Sequence, residues 1–178
     1  MTSSATEVTG RAKALRDAFD RSFAQPPSLE VAQEEAFLAV LIAGHAYALR
    51  VSEVGGLFAD KVVVPVPSEV PHLLGVAGLR GTIVPVYDLG ALLGYPSRAA
   101  LRWLVLARSR EPAAFAFDVF ERQLTLSPHD VIPAIGERPH VSGAARVVDS
   151  LRPIADLGSV LDEVNRRVKD TRTIRKED

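Results

Sequence analysis

Three hydrophobic periods follow one another along the chain. Val8, Ala12, Leu15, Phe19 and Phe23 recur every three or four residues, with Arg11, Lys13, Arg16, Asp17 and Asp20 between them. That spacing predicts an amphipathic helix. Thr9 is its candidate cap, and Gln25-Pro26-Pro27-Ser28 ends it, because proline removes a donor and disfavours helix in the residue before it. From Ala36 the period changes to two. Phe37–Ala43 is an apolar run, Gly44-His45 a turn, and Tyr47, Leu49 and Val51 alternate with Ala48, Arg50 and Ser52, which predicts a hairpin with one set of side chains on one face. Val62–Val64, Thr82–Tyr87, Leu101–Ala107, Ala113–Phe117, Gln123–Leu126, Ala145–Val148 and Leu151–Ile154 read as further short strands. A helical period returns briefly at Asp88–Gly94 and again from Asp156 to about Val168, where Leu157, Val160, Leu161, Val164 and Val168 form the stripe. Thr171–Asp178 is charged and reads as a frayed end.

The second half of this pattern repeats the first. With an offset of 68 residues, the separation of Pro85 and Pro153, the segment Pro85-Val86-Tyr87-Asp88-Leu89-Gly90 falls on Pro153-Ile154-Ala155-Asp156-Leu157-Gly158. The same offset sets Val63-Val64-Pro65 on Val131-Ile132-Pro133, Gly75 on Gly143, and Tyr47-Ala48-Leu49 on Phe115-Ala116-Phe117. In each copy an apolar strand runs out of a proline, and an aspartate follows where a helix begins. Asp88 and Asp156 are therefore read as helix caps, accepting a backbone N–H, and not as catalytic acids. A unit of about 65 residues is near the size at which a lone core is marginal, so two such units should pack on each other or exchange strands. The predicted fold is all-β with peripheral helices: two small β-barrels, about residues 36–100 and 101–168. A helix and proline-rich linker (1–35) precede them and a charged tail (169–178) follows. Their junction is a natural place for a partner.

Composition narrows the function. The net charge is -1, with 21 Lys plus Arg against 22 Asp plus Glu, which gives no electrostatic footprint for nucleic acid or anionic lipid. The absence of cysteine excludes thiolate metal sites, iron–sulfur clusters and a thiol nucleophile. His45, His72, His129 and His140 are too far apart for a helical metal pair, and no Gly-x-Ser-x-Gly elbow is present. With neither a signal-peptide pattern nor a membrane-length apolar run, the reading is a soluble cytoplasmic protein without chemistry of its own. The stretch Gly75-Val76-Ala77-Gly78-Leu79-Arg80-Gly81 precedes a strand instead of following one, against a phosphate cradle. Two readings stay open for it: a tight turn in which glycines supply positive φ, or a turn presenting Arg80 beside exposed leucines at a binding surface.

The stretch His72–Leu89 resembles the signature of CheW-like domains, leucine-x-Gly-Val-x-Asn-Leu-Arg-Gly-x-Ile/Val-x-Pro-Val-x-Asp-Leu. The strands at Phe37–Val54, the segment Ala114–Val119 and the closing Ile154–Leu161 are similar too, so the resemblance spans about residues 36–168. It implies two SH3-like five-stranded barrels without catalytic activity or cofactor. It further implies an adaptor bridging methyl-accepting chemoreceptors to the regulatory domain of a CheA-type histidine kinase, itself of the same fold, at membrane-associated arrays. By the same resemblance Val54, Gly75, Leu79, Arg80 and Gly81 are partner-binding residues.

Two positions depart from the pattern. Gly78 stands where the signature has Asn, which removes a side chain able to brace a turn. Gly56 stands where many relatives carry an acid two positions after the residue matching Val54, which removes a charge that could pair across an interface. The alternative to the full adaptor is therefore a divergent module that binds only receptor or only kinase and modulates the pathway. A small-ligand-binding barrel is the reading from another class.

Overall fold

The first tight feature of the computed structural model is a two-residue turn, Ala43-Gly44, with φ of 52° and 80°. Positive φ at both positions matches the twist of the strands they join. The structure describes residues 33–97, 101–134, 138–148 and 150–174, the last four by backbone alone. The predicted helix Val8–Phe23, its Thr9 cap and the break at Gln25–Ser28 lie outside the described residues. The turn joins β1 (Glu35–Ile42) to β2 (His45–Arg50), and β3 (Val54–Ala59) follows a short 3-10 turn. Then come β4 (Leu73–Leu79), β5 (Thr82–Asp88) and the one-turn helix α1 (Leu89–Leu92). The second half supplies β6 (Trp103–Ala107), β7 (Ala114–Phe117), β8 (Val119–Leu126), β9 (Val131–Pro133), β10 (Val141–Val147), β11 (Ser150–Ala155) and α2 (Leu157–Ile174).

These strands build two small barrel-like sheets, in the orders β8-β1-β2-β11-β10-β9 and β3-β6-β7-β5-β4. The sheets are not the two sequence halves. Hairpin β1–β2 leaves the first half to pair with β8 and, in parallel, β11, while β6–β7 leaves the second half to pair with β3 and β5. A division at residue 100 is thus corrected to an exchange of hairpins. The physical reason lies in the exchanged strands, which are apolar on both faces. Leu38, Val40, Ile42, Tyr47 and Leu49 face the shared central core, and Phe37 and Ala48 face the core of their own sheet. In β7, Phe115 and Phe117 face the centre, and Ala114 and Ala116 the other sheet's core. Burying both faces needs a layer on each side. The one-face alternation read for β2 is corrected accordingly, since Ala48 is as buried as Leu49.

The 68-residue repeat is visible in the geometry. Leu73 pairs Tyr87 and Gly75 pairs Val86 across a bulge; Val141 pairs Ala155 and Gly143 pairs Ile154 across the equivalent bulge. His72 and His140 have φ of 64° and 60°, and Arg80 and Val148 have 51° and 52°. Ala77, Leu79 and Val86 build one sheet core as Ala145, Val147 and Ile154 build the other.

Other predicted elements shift. Gly75–Leu79 is a strand, and the turn is only Arg80-Gly81. Val62–Val64 makes a single bridge, Val64 to Val76, where its counterpart β9 pairs over three residues. One sheet therefore has six strands where five were expected. Helix α2 continues to Ile174, through most of the segment read as tail. No helix among the described residues is long and apolar enough to cross a membrane.

Candidate functional site

The β4–β5 hairpin carries most of the residues singled out in the sequence, and it divides them sharply. Leu79 is 1% exposed, packed with Ala77, Val84, Val86 and Leu104. Strand alternation, with Gly78 outward, turns it into the core. The exposed leucines anticipated beside Arg80 are absent here. The outward neighbour is Ile83, paired with Gly78 and 75% exposed. Arg80 and Gly81 form the tip, with φ of 51° and 79°.

Gly75 is buried, and its reason is close approach. At φ 148°, a Cβ there would meet the Val64 carbonyl carbon at 2.7 Å and Pro65 Cα at 2.9 Å, with the carbonyl oxygen closer still. The strap 64–65 lies on this bare backbone through Val64 N–H to Val76 O at 2.8 Å and Val76 N–H to Val64 O at 2.9 Å. Gly78 has open space where a Cβ would go. Its position in a strand means that Asn there would be a surface group, not a brace for the turn.

Val54 is nearly buried in the central core, and its carbonyl accepts a bond from Arg108 Nη2 at 3.1 Å. Two residues on, Gly56 lies under Arg80. A Cβ on Gly56 would be 3.1 Å from Arg80 Nη2 and 3.0 Å from Phe58 Cε2. The guanidinium sits 5.9 Å from the Phe58 ring centroid, a cation–π distance. No ion pair or hydrogen bond to Arg80 is seen among the described residues. The missing side chain at 56 and the exposed cation are thus one feature: an acid there would reach Arg80. Sequence reasoning noted each separately and missed Phe58 and Ile83. The alternation Thr82-Ile83-Val84 could have signalled Ile83, since Val84 and Ile83 must face opposite sides.

The outer face around this tip is apolar. Val62 and Val64 are exposed, and Val64 is in register with Val76, which pairs Pro85. The repeat places Ile132, Ala144, Leu151 and Pro153 in the equivalent positions. There they line an open groove of about 250 Å³ with Val141, Gly143 and Arg138. Leu151 and Val148 at its hairpin are exposed.

The aspartates hold helices. Asp88, itself buried, accepts Ala91 N–H at 3.0 Å through Oδ1 and the Ser97 hydroxyl through Oδ2. Asp156 accepts Ser159 N–H at 2.8 Å. Their own N–H groups donate to the carbonyls of His72 and His140 at 2.9 Å each. Glu53, which sequence reasoning missed, accepts Leu157 N–H at 2.8 Å and so ties the 3-10 turn between the sheets to α2. Burial pushes its carboxyl above the usual range, partly offset by that hydrogen bond. Tyr47 and Tyr95 share a hydroxyl–hydroxyl bond of 2.9 Å, and burial followed by that bond raises the Tyr47 pKa. Among the described residues no group of three or more His, Asp or Glu could hold a metal ion.

The fold and this surface define a two-barrel scaffold: pseudo-equivalent apolar faces, an outward cation at one hairpin tip, and aspartates occupied as helix caps. A family model described as "CheW-like domain" matches residues 36–165, and the chain belongs to that family, which includes chemotaxis scaffolds. Among solved structures, the scaffolding protein TtCheW from Thermoanaerobacter tengcongensis matches with a TM-score of 0.62 at 20% identity, covering 70% of this chain and 90% of that one. No curated protein matches.

Proposed function

We propose that this chain is a non-enzymatic adaptor coupling methyl-accepting chemoreceptors to a CheA-type histidine kinase, working in the cytoplasm at membrane-associated arrays. The observation that carries the reading is Arg80, held over Phe58 at an exposed hairpin tip with Gly56 in place of an acid. An exposed guanidinium stacked on an aromatic ring and held by no acid of its own chain is an anchor for a partner carboxylate. Two outer faces related by the repeat suit a partner of the same fold, since like faces can pair through like contacts. That is the character the resemblance gives the kinase regulatory domain. The receptor's conformational change then biases kinase output through a rigid bridge, with no covalent step in this chain.

Arg80, Gly81 and the exposed Ile83 form the partner surface; Val54, Gly75 and Leu79 act from behind it, by setting the backbone. Calorimetry of the full chain against a kinase regulatory domain and a receptor cytoplasmic tip tests this. Arg80→Ala should weaken at least one association by about tenfold or more, the loss of roughly 1.4 kcal/mol, without changing the fold. Unchanged affinity for both partners removes Arg80 from the site. Binding of one partner only by the parent chain would select the modulating module over the bridging adaptor.

A further inference from the structure

The groove on the outer face of the six-stranded sheet is not a plain copy of its counterpart on the other sheet. The 68-residue offset sets Ala134 on Val66 and Ala144 on Val76, so two of its lining side chains are cut back to a methyl group. It also sets Arg138 on Val70. The two positions are built alike: Leu73 N–H donates to Val70 O at 3.4 Å, and Val141 N–H to Arg138 O at 3.3 Å. Val70 packs, half-buried, against the central core, whereas Arg138 is exposed. Arg138 is the one charged side chain among the described residues that line the groove. Among the described residues no ion pair or side-chain hydrogen bond holds it, and it acts on the Tyr47 phenol through charge.

Where one copy of the repeat has a valine plug, the other has a cation beside an opened apolar wall. A mostly apolar concavity with a single charged group is the usual form of a small-molecule site. The space, about 250 Å³, is that of about eight waters at ~30 Å³ each. One turn of a helix about 10–12 Å across fills more than that, so the occupant is a short chain and not a helix. One guanidinium suits one carboxylate, through two parallel bonds. We propose that this groove binds a free monocarboxylate with a short apolar tail. The carboxylate meets Arg138, and the tail lies along Ile132, Ala144, Leu151 and Pro153. Covering Leu151, which is 59% exposed, contributes the apolar part of the affinity. The site is on the other sheet from Arg80, needs no receptor or kinase, and stands whether or not the adaptor reading holds.

The test is a titration of the 15N-labelled full chain with octanoate, octanol and N-acetyl-Ala-Leu. Saturable shifts at the amides of Gly143, Ala144 and Leu151 are expected with octanoate, at an affinity about tenfold or more above that of octanol. Arg138→Gln should remove that difference by weakening octanoate about tenfold while leaving octanol unchanged. Ala144→Val should weaken both severalfold, by restoring the valine that the first copy carries at residue 76. Both changes lie at positions open to solvent, and the remaining amide spectrum reports that the fold is kept. Absence of saturation, shifts elsewhere, equal affinity for octanoate and octanol, or equal weakening of the two by Arg138→Gln would overturn the proposal. Tighter binding of the dipeptide than of octanoate would also overturn it, by assigning the groove to the terminus of a protein chain.

Discussion

Gly75→Ala separates a glycine that touches a partner from one that seats the chain. An alanine Cβ would sit 2.7 Å from the Val64 carbonyl carbon and 2.9 Å from Pro65 Cα, both backbone atoms that no side-chain rotation can move. Ordinary contact needs roughly 3.5–4.0 Å, so the strap must lift by about an ångström. That breaks the two Val64–Val76 backbone bonds, each worth about 0.5–1.5 kcal/mol net. Alanine at φ 148° adds about 1–3 kcal/mol of strain. The total is roughly 2–6 kcal/mol, and at about 2–4 °C per kcal/mol for a chain of this size the melting temperature should fall by roughly 4–24 °C. Gly143→Ala is the internal control. Its Cβ would meet Ile132 O at 2.5 Å, but the next atoms lie at 3.5 Å and beyond and its φ is not in the left-handed range. It should cost less. Differential scanning calorimetry gives the ordering, and amide exchange at Val76 reports the strap directly. A Gly75→Ala protein with parental melting temperature and slow Val76 exchange, yet with lost partner binding, would refute the seating argument and make Gly75 a contact residue.

Four further outcomes follow from the same geometry. Leu79→Ala should destabilise by about 2–5 kcal/mol through a core cavity, whereas Arg80→Ala should cost no more than about 1 kcal/mol; reversal of that order in chemical denaturation would mean Leu79 is not a core residue. Gly56→Glu should capture Arg80 in an intramolecular pair and weaken partner binding in calorimetry with little loss of fold, and unaltered affinity would show that the guanidinium need not be free. Glu53→Ala strips the cap from Leu157 N–H and should cost about 1–2 kcal/mol by denaturation, while Glu53→Gln retains an acceptor. Because the folded Glu53 pKa is raised, its proton-linked contribution is present below the unfolded Glu value of about 4.3 and is lost as pH rises through the folded value; the Gln variant should therefore gain on the parent from pH 4 to pH 7, and a constant difference would refute the linkage.

The apolar faces around Ile83 and Leu151 also bear on how such a chain avoids unwanted association. Exposed Ile83 and Leu151 occupy equivalent positions of the two sheets, and Val62 and Val148 are exposed as well. Exposed apolar patches mark association sites. Charge at the edges limits unwanted pairing: β8 carries Glu121 and Arg122, and Arg152 of β11 bonds Glu121.

The sequence by itself determined the period of each segment, the offset of the repeat, and the chemistry that is missing. Those are local properties: strand alternation, a proline-to-aspartate spacing, and residue types that are present or not. The helix starts after Asp88 and Asp156 and the strands β1, β2, β5, β6 and β7 could be read for that reason, whereas β3 gave no strand signal and β4 read as a turn because of its glycines. Only the tertiary structure decided which hairpin joins which sheet, because parallel pairing of β2 with β11 and of β7 with β5 leaves no mark on either strand beyond apolar character on both faces. It also decided that Leu79 turns inward, that Gly75 is a seat for residues 64–65, and that Arg80, Phe58 and Gly56 form one cluster. Each is a contact between residues distant in the chain, and such contacts are set by packing of the whole, not by the composition of any one segment.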